Sequence, residues 1–569
     1  MAQKSTARHV TPQAAAHGAA PPGAAAGVLA LDQGTTSSRA IVFGRDGAVL
    51  ATAQESFPQH YPEPGWVEHD PEDIWGTQLR CARQALQEAG LMPQDLAAVG
   101  ITNQRETVLL WDAKTGASLG NAIVWQCRRT ADRCEQLRQA GHEPAIVART
   151  GLRLDPYFSA TKLEWLLAHR EGAAELLAQG RLRAGTIDSF LIWRLTSESL
   201  RGESLSGGRA HVTDYGNASR TMLLDLERLD WADELLDLFG VPRAILPRLC
   251  PSSGVVAHTD PEILGAAVPI AGIAGDQQAA LFGQGALQPG DSKNTYGTGC
   301  FLLTNVGPRP VRPEHGLLST VAWVLGDAGA AAAAGGAGGA VWAAAQTGDA
   351  ARGAGHAAAQ TEAARGGPAV TYALEGSVFM AGAAVQWLRD GLGIIKASEE
   401  IGPLAAQAPD NGGVYFVPAL TGLGAPYWDP YARGLLIGLT RGTGPAQLAR
   451  ATEEAICYQT RAVLDAMRQT SGVDIAGLRA DGGAAGDDFL LQLQADILGI
   501  PVIRSRLRET TALGAAALAG LAVGFWSKSE VAALAGADRV FTPRMDAAER
   551  ERLYVDWQRA VQRSLGWAL

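Results

Sequence analysis

The stretch VLALDQGTTSSRAIVFGRDGAVLATAQE, residues 28–55, reads as three short strands joined by two turns. Apolar runs stop at Asp32 and Gly44, where Gly, Asp and Ser punctuate the chain. The first turn, DQGTTSSR at 32–39, sets an acid at a strand end and follows it with Gly-Thr-Thr. Glycine lets backbone approach a ligand closely, and successive N–H groups make an anion cradle. Thr35, Thr36 and Ser37 add hydroxyls, and Arg39 adds a planar cation suited to phosphate. Asp32 could hold Mg2+ through water, because Mg2+ dehydrates reluctantly. Taken alone, a hairpin with a polar turn is the better reading.

Two more clusters change that balance. IAGDQQAALFG at 273–283 puts Asp276 and Gln277 after a glycine, at the end of an apolar run and the start of a helical one. DSKNTYGTGCFLLTNVG at 291–307 repeats the strand, Gly-Thr-Gly turn and strand of the opening. ADGGAAGDDF at 480–489 ends a strand on glycines and opens a helix, where ribose or phosphate can approach backbone N–H groups. One β-turn-β unit in each half predicts a duplicated α/β domain. Between these clusters, 96–112 and 119–125 read as strands, and 73–89, 161–177, 380–392 and 445–470 show helical spacing.

A chain of 569 residues exceeds what one core supports, roughly 250–300, so two domains are expected. The predicted organisation is an Ala/Pro/Gly-rich disordered tail (1–27), a first domain (28–284) and a second domain (285–569). An Ala/Gly insertion at about 327–368 and a smaller Ser/Gly one at 197–208 interrupt them. Net charge is −10, so no basic field is present to hold a nucleic-acid backbone. Six scattered cysteines without a C-x-x-C pair read as free thiols of a cytoplasmic protein. No unbroken apolar run implies a membrane span. No lysine follows a glycine, so the P-loop is absent, and so is the H-R-D of protein kinases. GASLG at 116–120 matches the G-x-S-x-G nucleophile pattern, but its flanks read as hairpin strands and the turn is preferred.

The three turns together resemble the ATPase fold shared by sugar kinases, actin and heat-shock chaperones. Longer motifs narrow this: NQRET (103–107), NAIVWQCRRTA (121–131), DPYFSATKLEWLL (155–167), HVTDYGNASRTML (211–223), YALEGSVFMAGAAVQWLRD (372–390) and TALGAAALAGLAVGFW (511–526). With the segments above, they resemble the FGGY family of carbohydrate kinases, and within it the members that phosphorylate glycerol. The resemblance runs from Val28 to nearly the C-terminus. It implies two duplicated actin-like (ribonuclease H-like) domains with the active site in the cleft between them. It also implies glycerol and ATP as substrates, Mg2+ as cofactor, and a homodimer or homotetramer.

Residue by residue, the resemblance assigns the polyol to Arg105, Glu106, Trp125, Tyr157, Asp276, Gln277 and Phe301. Asp276 is the implied catalytic base. It assigns ATP to Thr35, Thr36, Ser37, Arg39, Thr298, Gly382, Gln386, Gly483 and Asp487, and the metal to Asp32 and Asp276. The chemistry agrees. Arginine only donates and a carboxylate only accepts, so Arg105 and Glu106 complement one another around a small triol. Trp125 and Phe301 can cover its carbons. Phosphoryl transfer asks the protein mainly to position groups and neutralise charge.

Four departures from the family pattern stand out. ILGAAVPIAG (263–272) has no arginine where regulated members bind fructose 1,6-bisphosphate, so that inhibition is not expected. Glu453 stands where an apolar residue is usual, Asp487 where asparagine is common, and Ala168 where a polar residue is common. Another polyol or ketose kinase of the family, or a non-catalytic ATP-binding scaffold, are the rival readings. The polyol residues lie mainly in the first half and the adenine-side motifs in the second, so closure of the cleft on glycerol is expected.

Overall fold

The computed structural model describes residues 25–197, 209–326 and 369–568. Most of the N-terminal tail, nearly all of the Ser/Gly insertion and the whole Ala/Gly insertion lie outside the described residues.

A 13-stranded sheet runs through the molecule. Its strands in chain order are β1 (Gly27–Gln33), β2 (Ser37–Gly44), β3 (Val49–Ser56), β4 (Leu96–Asn103), β5 (Ser253–His258) and β6 (Pro269–Gly275), then β7 (Ser292–Tyr296), β8 (Cys300–Gly307), β9 (Leu318–Leu325), β10 (Ala369–Val378), β11 (Leu478–Asp481), β12 (Val502–Ser505) and β13 (Ala537–Phe541). In the first half, β3-β2-β1-β4-β6 are neighbours in that order, with β2 antiparallel to its flanks and β1, β4 and β6 parallel. In the second half, β10-β8-β7-β11-β12 repeat both the order and the directions. This is the duplicated actin-like arrangement that the two Gly-Thr turns predict. The halves meet where β5 touches β9 at Ser253–Leu325.

Two helices form the contact between the halves: α2 (Asp276–Gly283), following β6, and α6 (Thr510–Ala522), from the second half. Before them in the chain comes α1 (Pro71–Ala89); between them lie α3 (Gly382–Asp390), α4 (Pro445–Ser471) and α5 (Asp488–Leu498). The Ala/Gly composition of α6 lets its backbone lie directly on its neighbours. A Cβ at Gly514 would overlap the Ala279 carbonyl oxygen of α2, and one at Gly283 would overlap the Thr510 carbonyl oxygen. The buried Leu and Ala side chains of α6 and α2 close one core with the undersides of β1 and β4.

Local signals account for most element ends. Asp70 caps α1 by accepting from the Glu72 N–H at 2.8 Å, Pro71 occupies the first turn, and Gly90 ends the helix at φ +67°. The expected single helix over 161–177 is two, Ser159–His169 and Ala173–Ala178. The first helix ends where Arg170 turns extended (φ −85°, ψ 122°), and Gly172, at φ +81°, leads into the second, so the periodicity continues across a break. The turn itself falls at 113–115, and GASLG is the return side of that hairpin, bridged from Ser118 to Trp111, with no helix following it as an elbow needs. No helix of the described residues is long and apolar enough to cross a membrane.

Candidate active site

β4 ends at Asn103, and the next turn carries Gln104, Arg105 and Glu106, all buried. Glu106 has φ +63°, and the Thr107 N–H donates to the Arg105 carbonyl at 2.8 Å across it. A non-glycine residue held in that region costs on the order of 1–3 kcal/mol and persists only where its surroundings fix it. The fixing contacts are on both sides: the Ser159 hydroxyl donates to the Glu106 carbonyl at 3.2 Å, and Arg220 Nε donates to Glu106 Oε1 at 2.7 Å.

Arg105 is the centre of the cluster. Its two terminal nitrogens donate to the two carboxylate oxygens of Glu375 at 2.6 and 3.1 Å, a bidentate pair between the halves of the molecule. Its Nε meets Asp276 Oδ1 at 3.1 Å and Glu106 Oε1 at 3.8 Å, and one terminal nitrogen reaches the Tyr157 hydroxyl at 3.3 Å. Arg220 adds a second bond to Glu375, at 3.2 Å. Two cations thus face Glu106 and Glu375, and they serve the two acids unequally. Burial alone would raise Glu375, yet Arg105 and Arg220 hold its carboxyl down at about 2. For Glu106 burial wins over the same two arginines and pushes the carboxyl up. Burial also pushes the Tyr157 phenol up, so it stays a hydroxyl that both donates and accepts.

Asp276 opens α2 and is the exposed member of the group, with its side chain 37% accessible. Its Oδ1 is ion-paired with Arg105 Nε and accepts, at 2.8 Å, from the Gln277 N–H. Its Oδ2 meets only the Gln277 side-chain amide, at 3.4 Å, and so retains a lone pair for a further donor. Gln277 in turn accepts from the buried ammonium of Lys293 on β7, which also donates to Thr295 Oγ1 at 2.9 Å.

Trp125 links this cluster to the first turn. Its ring packs edge-on against Tyr157 with centroids 5.6 Å apart, and its Nε1 donates to Thr35 Oγ1 at 3.0 Å. Phe301 sits half-buried on β8, opposite Thr295 and Ser377. In the same first turn the Gly34 N–H closes on the Ser37 carbonyl at 3.0 Å. Arg39 pairs with Glu509, just before α6. Asp32 lies beneath them: burial pushes its carboxyl up to about 6, opposed by Arg39 and reinforced by Glu509 and Asp276.

Most of the remaining expected residues belong to the second half. The carbonyls of Gly297 and Thr298 accept from the N–H groups of Gly382 and Ala383, at 3.0 Å each, which ties the second Gly-Thr turn to the start of α3. Thr36, Thr298, Gln386 and Gly483 are exposed. Asp487 caps α5, accepting from the Phe489 and Leu490 N–H groups at 2.8 and 3.3 Å. Aspartate caps a helix as well as asparagine does, so the exchange keeps the cap. Glu453 on α4 is buried with Oε2 unpaired; burial, and then the Asp487 charge, push its carboxyl well up. The two unusual acids are therefore electrostatic neighbours.

Among the described residues no three His, Cys, Asp or Glu side chains gather to hold a metal unaided. The donor set of Asp32 and Asp276 does fit an ion that keeps most of its waters, since two carboxylates leave the remaining positions to water; the charges of Glu509 and Asp276 both act on Asp32, and a divalent cation would offset them.

Models of the FGGY family of carbohydrate kinases match the chain twice: the N-terminal domain over residues 27–283 and the C-terminal domain over 292–523. The chain belongs to this family. Among its relatives is a glycerol kinase of Symbiobacterium thermophilum, 54% identical over 542 residues, covering 95% of this chain and 99% of the relative. Glycerol kinase 2 of Thermotoga maritima is 52% identical over 541 residues with the same coverage. In three dimensions the chain is similar to Plasmodium falciparum glycerol kinase solved with ADP: TM-score 0.82, 30% identity, 95% of this chain and 99% of that one. Gluconate kinase of Lactobacillus acidophilus, at 22% identity and TM-score 0.77 over 94% and 97% of the two chains, shares the fold.

Glu375, Arg220 and Lys293 were not among the residues expected from the sequence. Each sits inside a motif quoted above, as a charge within a buried segment: TYALEGSV, ASRTML and SKNTY. A fully buried charge needs a partner or a task, and that was the available signal.

Proposed function

We propose that this FGGY kinase transfers the γ-phosphoryl group of ATP to glycerol, giving sn-glycerol 3-phosphate and ADP. The observation that carries the reading is Asp276, which offers one free carboxylate oxygen beside the buried Arg105–Glu106–Tyr157 set. Arg105 and Tyr157 supply donors and Glu106 an acceptor for two of the hydroxyls, and Trp125 and Phe301 cover the carbons. Asp276 Oδ2 takes the proton of the third hydroxyl as that oxygen bonds to the γ-phosphorus. The bond to the β,γ-bridging oxygen breaks, and ADP leaves with the electron pair. The nucleotide lies along Thr35, Thr36, Ser37, Arg39 and Thr298, with its adenosine end toward Gly382, Gln386, Gly483 and Asp487. Mg2+ held by Asp32 and Asp276 would neutralise charge on the phosphate oxygens.

Identity above 50% over nearly the whole length to two glycerol kinases supports glycerol over a ketose. We read the chain as cytoplasmic, in keeping with six buried, unpaired cysteines. A homodimer or homotetramer is the assembly the family implies, and light scattering measures it directly. The functional test is ADP release from Mg-ATP with glycerol, dihydroxyacetone or xylulose. Stimulation by glycerol is expected; stimulation only by a ketose would overturn the substrate, and none by any of them would overturn the enzyme.

A further inference from the structure

Lys293 has no place in the assignments above, yet it is fully buried on β7, under the catalytic cluster. An ammonium without water is costly, and burial lowers this one to about 8. It keeps two acceptors, Gln277 Oε1 and Thr295 Oγ1, on the side of β7 that faces α2. Asp481, Asp276 and Glu375 lie in its electrostatic reach, with Arg105 opposing.

The hydrogen-bond logic runs in one direction. Lysine can only donate, so the atom Gln277 turns toward it must be the carbonyl oxygen. The amide then has one orientation left for its nitrogen, toward Asp276 Oδ2, where it stands at 3.4 Å. If the amide were reversed, an oxygen would face the carboxylate.

We propose that Lys293 is a positioning residue for phosphoryl transfer: by locking the Gln277 amide it fixes the rotamer of Asp276, so that Oδ2 faces the cleft with a single lone pair free for the substrate hydroxyl. Lys293 does not touch the substrate. Three contacts then set the Asp276 carboxylate: Arg105 Nε and the Gln277 N–H on Oδ1, and the locked amide on Oδ2. A base misaligned by an ångström loses on the order of 100-fold in rate, which is the scale at which a positioning residue acts.

The proposal rests on the glycerol kinase reading, and a double-mutant cycle separates the two. Lys293→Met, Gln277→Leu, the pair together and Lys293→Arg are assayed for glycerol-dependent ADP formation beside the wild type, with thermal melting as the check on folding. Lys293→Met is expected to lower kcat by about 10- to 100-fold and to leave the glycerol KM within about 3-fold. In the Gln277→Leu background the same change should cost less than about 2-fold, because the amide it acts through is gone. Lys293→Arg, still a donor, should recover part of kcat. If Lys293→Met does not fold, Lys293→Arg with and without Gln277→Leu gives the same cycle. Unchanged kcat in Lys293→Met, or losses that multiply in the double variant, would overturn the proposal. A wild type active on another polyol alone would overturn the substrate and leave the cycle measurable on that polyol.

Discussion

Replacing Glu375 by glutamine changes one atom and one charge in a site with almost no exposed surface. The native group holds two cations against two anions: Arg105 and Arg220 against Glu106 and Glu375. In the Glu375→Gln variant the balance becomes two against one, and an NH2 group is turned toward a guanidinium that can only donate. The Glu375 carboxyl titrates at about 2 in place of its ordinary 4.5. At about 1.4 kcal/mol per tenfold, that gap is on the order of 3 kcal/mol, the margin by which the arginines outweigh the cost of burial. The figure agrees with the roughly 3–5 kcal/mol lost when one partner of a buried pair is removed. A domain of this size loses about 2 °C of Tm per kcal/mol, so the expected fall is about 6 °C.

The functional effect should be on glycerol. Glu375 fixes Arg105 through both terminal nitrogens, so Glu375→Gln frees the guanidinium proposed to orient the polyol. Its glycerol KM should rise about 10-fold or more while the ATP KM changes little. The pH dependence has a definite sign. A depressed carboxyl contributes stability that is present above about 4.5 and lost as pH falls through about 2. The melting difference between variant and wild type should therefore be full at pH 7 and shrink below about pH 4.5. Equal Tm and equal glycerol KM at pH 7 would refute the account of the network.

Three other outcomes follow from particular contacts. Glu453→Leu should stabilise the chain by roughly 1–3 kcal/mol, because it removes a buried, unpaired carboxyl oxygen; the raised carboxyl contributes stability at low pH that is lost as pH rises, so the gain in Tm should be larger at pH 8 than at pH 5. Gly514→Val should destabilise by roughly 3 kcal/mol or more, read as lost soluble yield or an early melt, because the side chain would enter the Ala279 backbone. Trp125→Phe keeps the aromatic body but removes the bond to Thr35 Oγ1; ATP KM is expected to rise by about 3- to 10-fold, a bond worth roughly 1 kcal/mol, and an unchanged ATP KM would separate the polyol wall from the phosphate turn.

Much of this architecture was legible because the deciding signals are local. Gly, Asp and Thr at strand ends announce both Gly-Thr turns, and a glycine before Asp276 announces the helix that presents it. Periodicity missed the break between Arg170 and Gly172, and it overran the strand expected at 119–125, which is only Ala122–Ile123. The missing members of the site depend on distant pairings. Nothing near Glu375 in sequence says that Arg105, 270 positions away, will lie against it. Only the order β10-β8-β7, on the far side of α2, brings Glu375, Lys293 and Asp276 into electrostatic contact. Glu453 and Asp487 were visible as separate oddities; α4 and α5 make them one acidic pair.

The same pairings bear on which part of the cleft is free to move. Arg105–Glu375 joins the halves with both side chains at most 2% exposed, and α2 meets α6 backbone to backbone just beneath. Breaking that ion pair would strand two buried charges, a cost of several kcal/mol that no single substrate hydroxyl offsets. The floor of the cleft is therefore the expected pivot, and opening and closing are expected at the rim, where Thr36, Thr298, Gln386 and Gly483 are exposed. Arg105, Glu106, Tyr157 and Asp276 are held by bonds among themselves and to Glu375 and Arg220, and none of those bonds needs a nucleotide. Glycerol should then bind before ATP and with an affinity that ATP changes little. Calorimetry of glycerol into the chain without nucleotide should give a saturable isotherm, its Kd within about 10-fold of that measured with a non-hydrolysable ATP analogue, a coupling below roughly 1.4 kcal/mol. Binding that appears only with the analogue would mean that the polyol wall is assembled by closure of the rim, and the floor could not be the pivot.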